Sequence, residues 1–150
     1  MKRFVLILML AAILFPGAAK AQDNDFGLGI ILGEPTGISL KYWVGSTAAI
    51  DGAVAWSFGN NDSLHLHADY LFHKFNLFKV EKGKIPLYYG IGIRVRAEGR
   101  TRVGVRFPVG ISYIFEKAPL DIFLELAPLL DLVPDTDFRF NGAIGIRYYF

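Results

Sequence analysis

The chain has 150 residues, 53% of them hydrophobic, and no cysteine, which excludes disulfides, a thiolate metal site and a lipid-modified N-terminal cysteine. Sixteen Lys and Arg stand against 14 Asp and Glu, but Lys2, Arg3 and Lys20 lie in an N-terminal segment that reads as removable; without it 13 bases face 14 acids, a formal charge of −1. No basic run or basic-aromatic patch remains to bind nucleic acid.

Lys2 and Arg3 precede an apolar run from Phe4 to Phe15, then the helix breakers Pro16 and Gly17, then Ala19-Lys20-Ala21. That order predicts a cleaved secretory signal over residues 1–21 and a mature start at Gln22. The apolar run falls short of the roughly 20 residues of a membrane-spanning helix. Residues 22–150 form one domain. Their length suits eight strands of about 9 to 11 residues with seven turns, and not a larger pore.

The first predicted strand alternates Phe26, Leu28, Ile30 and Leu32 with Gly27, Gly29, Ile31 and Gly33, and turns at Gly33-Glu34-Pro35-Thr36-Gly37. A second carries Ile38, Leu40, Tyr42 and Val44, with Gly45-Ser46 as a two-residue hairpin. The third, from about Thr47 to Phe58, shows Ile50, Val54 and Trp56 on one parity; the turn 59–62 follows. The fourth sets Leu64, Leu66, Tyr70 and Phe72 against His65, His67 and Asp69, with an end anywhere from Lys74 to Val80. The fifth carries Ile85, Leu87, Tyr89, Ile91, Ile93 and Val95, the sixth Val103 to Phe115, and the seventh Leu120, Ile122, Leu124 and Leu126. The eighth runs from Phe138 to Phe150. Eight alternating segments with short punctuation predict an all-β, antiparallel up-and-down barrel. Pro108 and Pro128 interrupt this pattern, and a bulge or broken ladder is expected at each.

The parity opposite the aliphatics holds glycines, alanines and isolated charges of both signs: Lys41, Asp51, Asp69, Arg94, Arg96, Arg106, Asp121, Glu125, Arg139 and Arg147. A water-facing exterior would be crowded with Lys, Glu, Ser and Thr, whereas small residues suit the filled interior of a narrow barrel. These ten residues are therefore expected to form a charge network plugging the lumen, each needing a partner if dry.

His65 and His67, at i and i+2 on a strand, share a face about 6 to 7 Å apart, a spacing that could hold a metal if a neighbouring strand supplied a third ligand such as Asp51. The blander expectation is no metal and no cofactor, the imidazoles being hydrogen-bonded inside the lumen. Ser39, Ser57, Ser63 and Ser112 are scattered, and none stands beside a histidine in a nucleophile motif, so no catalytic residue is assigned. The outer turns are short, unlike the long loops of a barrel built to grip a partner.

The terminal segment F-R-F-N-G-A-I-G-I-R-Y-Y-F resembles the last strand of a bacterial outer-membrane β-barrel, in which the final aromatic residues, here Tyr148 and Phe150, serve as the signal read by the barrel-assembly machinery. The stretch from Gly33 to Trp43, together with Tyr89 to Gly92, Gly104 to Gly110 and Pro119 to Glu125, resembles a family of small bacterial outer-membrane β-barrels, similar in build to the OmpA transmembrane domain and OmpX. The resemblance implies a transmembrane eight-stranded barrel in the bacterial outer membrane, monomeric, in contact with outer-membrane lipid. It implies no activity, so a structural or envelope-interaction role without catalysis is expected. Alternation by itself is equally compatible with a secreted lipocalin-like carrier of a small apolar ligand. A lipid A-modifying enzyme and a narrow solute channel are further alternatives.

Overall fold

The computed structural model describes residues 25–33, 36–57, 63–98 and 100–150. The predicted signal segment, Glu34 and Pro35, and the turn 59–62 lie outside the described residues. Nine strands are described: β1 (Phe26–Gly33), β2 (Gly37–Trp43), β3 (Ala48–Ser57), β4 (Ser63–Lys74), β5 (Leu87–Glu98), β6 (Arg100–Arg106), β7 (Val109–Ile114), β8 (Leu120–Val133) and β9 (Asp137–Tyr149). All pairings are antiparallel, and β9 pairs back onto β1, so the sheet closes into a ring. Both β6 and β7 pair with β5 on one side and β8 on the other, and the register resumes unchanged after Phe107 and Pro108. They occupy one position, which makes the ring an eight-position up-and-down barrel. Closure leaves no sheet edge to protect.

The two prolines produce one interruption between them. By register Phe107 faces Pro128, and the Phe107 N–H donates to the Pro128 carbonyl at 2.9 Å. Gly90 N–H donates to the Pro108 carbonyl at 3.0 Å. Proline has no N–H to return either bond, so the sixth position loses one ladder bond on each side at a single height. On its other side β8 pairs with β9 without a shift, Pro128 lying opposite Phe140. The expected disruptions thus coincide, and β8 continues through Pro128 to Val133, past the predicted limit at Leu126.

Three further features differ from expectation. The fourth strand stops at Lys74 and the fifth starts at Leu87, after Pro86, and not at Ile85; residues 75–86 form a connection that touches the end of β7 through the Lys84–Ile114 bridge. Residues 44–47 join β2 to β3 in place of a two-residue hairpin, with the Val44 and Gly45 N–H groups both donating to the Ala48 carbonyl. A register shift between Val103 and Gly104 inserts one extra residue in β8 near its end.

Alternation sorts the side chains by face, because successive Cβ atoms leave opposite sides of a strand. Leu124 is 55% exposed and points out; its neighbour Glu125 is 4% exposed and points in. On the outward parity of the described strands, Lys74 at the end of β4 is the one charged residue. Inward, Ile31, Ala53, Leu71, Tyr88, Phe123 and Ala143 make a packed cluster across the lumen. Charged side chains lie on both sides of it. One mouth holds the start of β1, the end of β9 and the 75–86 connection; the other, the distal mouth, holds the facing ends of β1 and β2, of β3 and β4, of β5 and β6, and of β8 and β9.

Candidate functional site

The lumen is organised by glycines placed between the side chains that meet. Asp69 on β4 and Arg106 on β6 are both register partners of Gly92 on the intervening β5. A side chain at Gly92 would collide with the Asp69 carboxylate, so its absence lets the guanidinium cross β5, and Arg106 Nε comes to 3.1 Å from Asp69 Oδ1. The same row recurs twice. Gly110 on β7 separates Tyr88 from Glu125, and the Tyr88 hydroxyl donates to Glu125 Oε1 at 3.2 Å. Gly104 on β6 separates Arg94 from Asp131, and Arg94 Nη2 donates to Asp131 Oδ1 at 2.5 Å. Each glycine supplies the space that lets second-neighbour strands touch.

Arg106 is the hub. Besides Asp69 it reaches Glu125 through Nη2 at 2.6 Å and His67 Nδ1 through Nη1 at 2.8 Å. Asp51 and Asp69 face one another across β3 and β4, a like-charge pair that is unfavourable alone. Arg106 flanks one member, and Arg147 Nη1 lies 3.7 Å from Asp51 Oδ2 beside the other. Arg147 also donates through Nε to Asp121 at 3.1 Å and stacks on the Phe123 ring with its carbon 4.0 Å from the centroid. Tyr149 donates to the second Asp121 oxygen at 2.5 Å. Nearer the terminal mouth, Lys41 Nζ donates to His73 Nε2 at 2.7 Å while His73 Nδ1 donates to the Thr47 carbonyl at 3.0 Å; the Trp43 ring lies 4.4 Å from the ammonium. Burying so many charges is tolerable only with partners at this density.

The metal candidates separate. His65 and His67 both turn inward with ring centroids 5.7 Å apart. The ligand atoms that lie within 4.8 Å of one another belong to Asp51, His67 and Asp69, without His65. Arg106 already fills the role of cation there. Because arginine can only donate, His67 Nδ1 accepts from it, and the N–H is left on Nε2, 3.6 Å from Asp69 Oδ2. The one lone pair of the neutral imidazole is taken by Arg106, so a metal at this nitrogen would have to displace the guanidinium.

At the distal mouth a cavity of about 630 Å³ is lined by His65, Arg94, Arg96, Arg139 and Asn141 among others. Arg139 is held at its rim by Asp137, 3.1 Å from Nε, with Asp131 at 3.7 Å. At the chain's end Tyr148 and Phe150 point outward with their rings edge to face, centroids 5.0 Å apart, and Phe150 N–H donates to the Phe26 carbonyl at 2.8 Å. Asp131, His73, Tyr88 and Tyr149 are buried network members that the sequence reading left out. Asp131 lies past the predicted end of the seventh strand at Leu126, while His73 and Tyr149 fall on the inward parity of predicted strands but carry no formal charge that would mark them as members of a charge network. Tyr88 likewise stands on the inward parity as an uncharged aromatic.

The sequence matches no protein-family model and no curated protein. In fold the chain is similar to the N-terminal β-barrel domain of Pseudomonas aeruginosa OprF, with a TM-score of 0.57 at 11% identity, over 83% of this chain and 95% of that one.

Proposed function

We propose that this chain is a small, monomeric integral outer-membrane β-barrel whose plugged lumen serves structure and envelope interaction, without catalysis. The observation that carries the reading is the inversion of the two faces. A band of bare aliphatics and aromatics looks outward while paired arginines and acids fill the inside, which is the arrangement a hydrocarbon solvent favours. The likeness in fold to the OprF barrel domain supports it, as does the resemblance of several segments to small outer-membrane barrels. On this reading outer-membrane lipid covers the outward band, and the barrel-assembly machinery reads the strand ending in Tyr148 and Phe150. A lipocalin-like carrier would need the reverse parity, with Leu124 lining a hollow and Glu125 in water.

The test is fractionation of native cells together with gel mobility in detergent, heated against unheated. A folded membrane barrel stays in the outer-membrane fraction and shifts on heating. Recovery in the periplasmic supernatant would overturn the proposal. Spin labels at positions 124 and 125 give a second readout: the label at 124 is expected to be quenched by lipid-soluble oxygen and the label at 125 to be shielded.

A further inference from the structure

We propose that the distal mouth is a binding site for a phosphoryl group, built by Arg94, Arg96, Arg139 and His65. Its cavity, about 630 Å³, falls within the size range of small-molecule sites. Every titratable side chain in its described lining is a base or an imidazole: Arg94, Arg96, Arg139 and His65. The acids paired with Arg94 and Arg139 are Asp131, which stands between the two guanidinium groups, and Asp137 at the rim next to Arg139.

Arg94 and His65 each keep a polar atom that those acids do not meet. Arg94 is 2% exposed and anchored through one Nη by Asp131, while its Nε is buried with no hydrogen-bond partner. His65 Nε2 is likewise buried and unmatched. Unmet buried polar atoms are costly, and on Arg94, whose guanidinium can only donate, the partner that belongs there is an acceptor. A phosphate, with several acceptor oxygens and up to two charges, can take hydrogen bonds from more than one guanidinium at once, the geometry for which arginine is suited.

The lumen also sets how far such a group can go. Below the cavity the inward charges reverse in balance, with Asp51, Asp69, Asp121 and Glu125 against Lys41, Arg106 and Arg147, and the packed cluster containing Leu71 and Phe123 closes the bore. An anion is therefore attracted to the mouth and stopped there. The site captures and does not conduct. Its ligand is a phosphorylated solute, or the phosphate of a lipid headgroup reaching over the rim; the two share this chemistry.

The experiment uses the purified full barrel in detergent, with folding checked by the heat-dependent gel shift. Inorganic pyrophosphate is titrated by calorimetry at low ionic strength. Saturable binding is expected, weakened at least tenfold in Arg96→Gln/Arg139→Gln and unchanged in Lys117→Gln at the opposite mouth. Should the double variant fail to fold, Arg96→Gln and Arg139→Gln are measured singly, each with a smaller loss expected. A parallel arm asks by native mass spectrometry whether the barrel retains phosphatidic acid in preference to phosphatidylcholine. Binding in the first arm identifies a free solute, and selective retention in the second alone identifies a lipid headgroup, provided the arginine variants abolish it. Absence of both, or binding that survives in the folded variants, overturns the proposal.

Discussion

Arg106 shows how much one side chain carries in this lumen. Its five donors, in a planar fork, serve Asp69, Glu125 and His67 from opposite sides at 3.1, 2.6 and 2.8 Å. Removing it strands two buried carboxylates, so Arg106→Leu is expected to cost about 3–5 kcal/mol, read as a lowered urea midpoint for the barrel in lipid vesicles. Arg106→Lys is expected to lie between, because a single ammonium cannot span three acceptors in different directions. Asp69→Asn/Glu125→Gln in the Arg106→Leu background is expected to recover part of the loss, since the stranded charges are then gone. Arg139, a third exposed at the rim, is the contrast: its removal is expected to shift stability by under about 1 kcal/mol. A midpoint for Arg106→Leu equal to that of Arg139→Leu would refute the assignment of Arg106 as hub.

At the scale of the strands, the recurrent unit is a large side chain, a glycine and a second large side chain lying across three neighbouring strands. It explains why the inward parity is so rich in glycine without the chain becoming loose: the empty Cβ positions are occupied by neighbours. Gly110 carries the Tyr88 ring against it and Gly145 carries Phe123. Gly110→Val is expected to destabilise the barrel by about 1–3 kcal/mol through overpacking. In the Tyr88→Ala background that cost should fall, giving a coupling of about 0.5–3 kcal/mol in a double-mutant cycle of urea unfolding. Additive losses would show that the ring and the glycine do not share the space. These rows were not readable beforehand. Alternation assigns Gly92 and Gly110 to a face, but which residues flank them depends on the register of strands far apart in sequence.

Across the whole molecule, the charge network and the apolar cluster fill the bore, leaving cavities toward its mouths. The barrel is accordingly expected to show no stepwise conductance in a planar lipid bilayer at physiological salt; regular unit steps from purified, heat-shifting protein would contradict a plugged lumen. Truncating Leu71 and Phe123 together to Ala is expected to leave the bore closed, because Arg106 and Arg147 still cross it. The seam at Phe107 and Pro108 concerns the wall and not the bore, since the small inward residues Gly90, Pro108 and Ala127 stand at that height.

The period of two in this chain was sufficient to establish strands, their approximate number, the antiparallel barrel, and which residues share the face of Glu125 and which that of Leu124, because side-chain direction along a strand is a local consequence of backbone geometry. Strand limits were legible only where a turn residue or a change of pattern marked them; β8 ran through Pro128 because the bond that proline lacks falls where Phe107 and Pro108 already break the neighbouring segment. The pairings themselves, Arg106 with Asp69 and Glu125, Arg94 with Asp131, Lys41 with His73 in place of an acid, arise only on closure of the ring. Closure sets the stagger of each strand against the next, and that stagger decides which side chains stand at the same height inside.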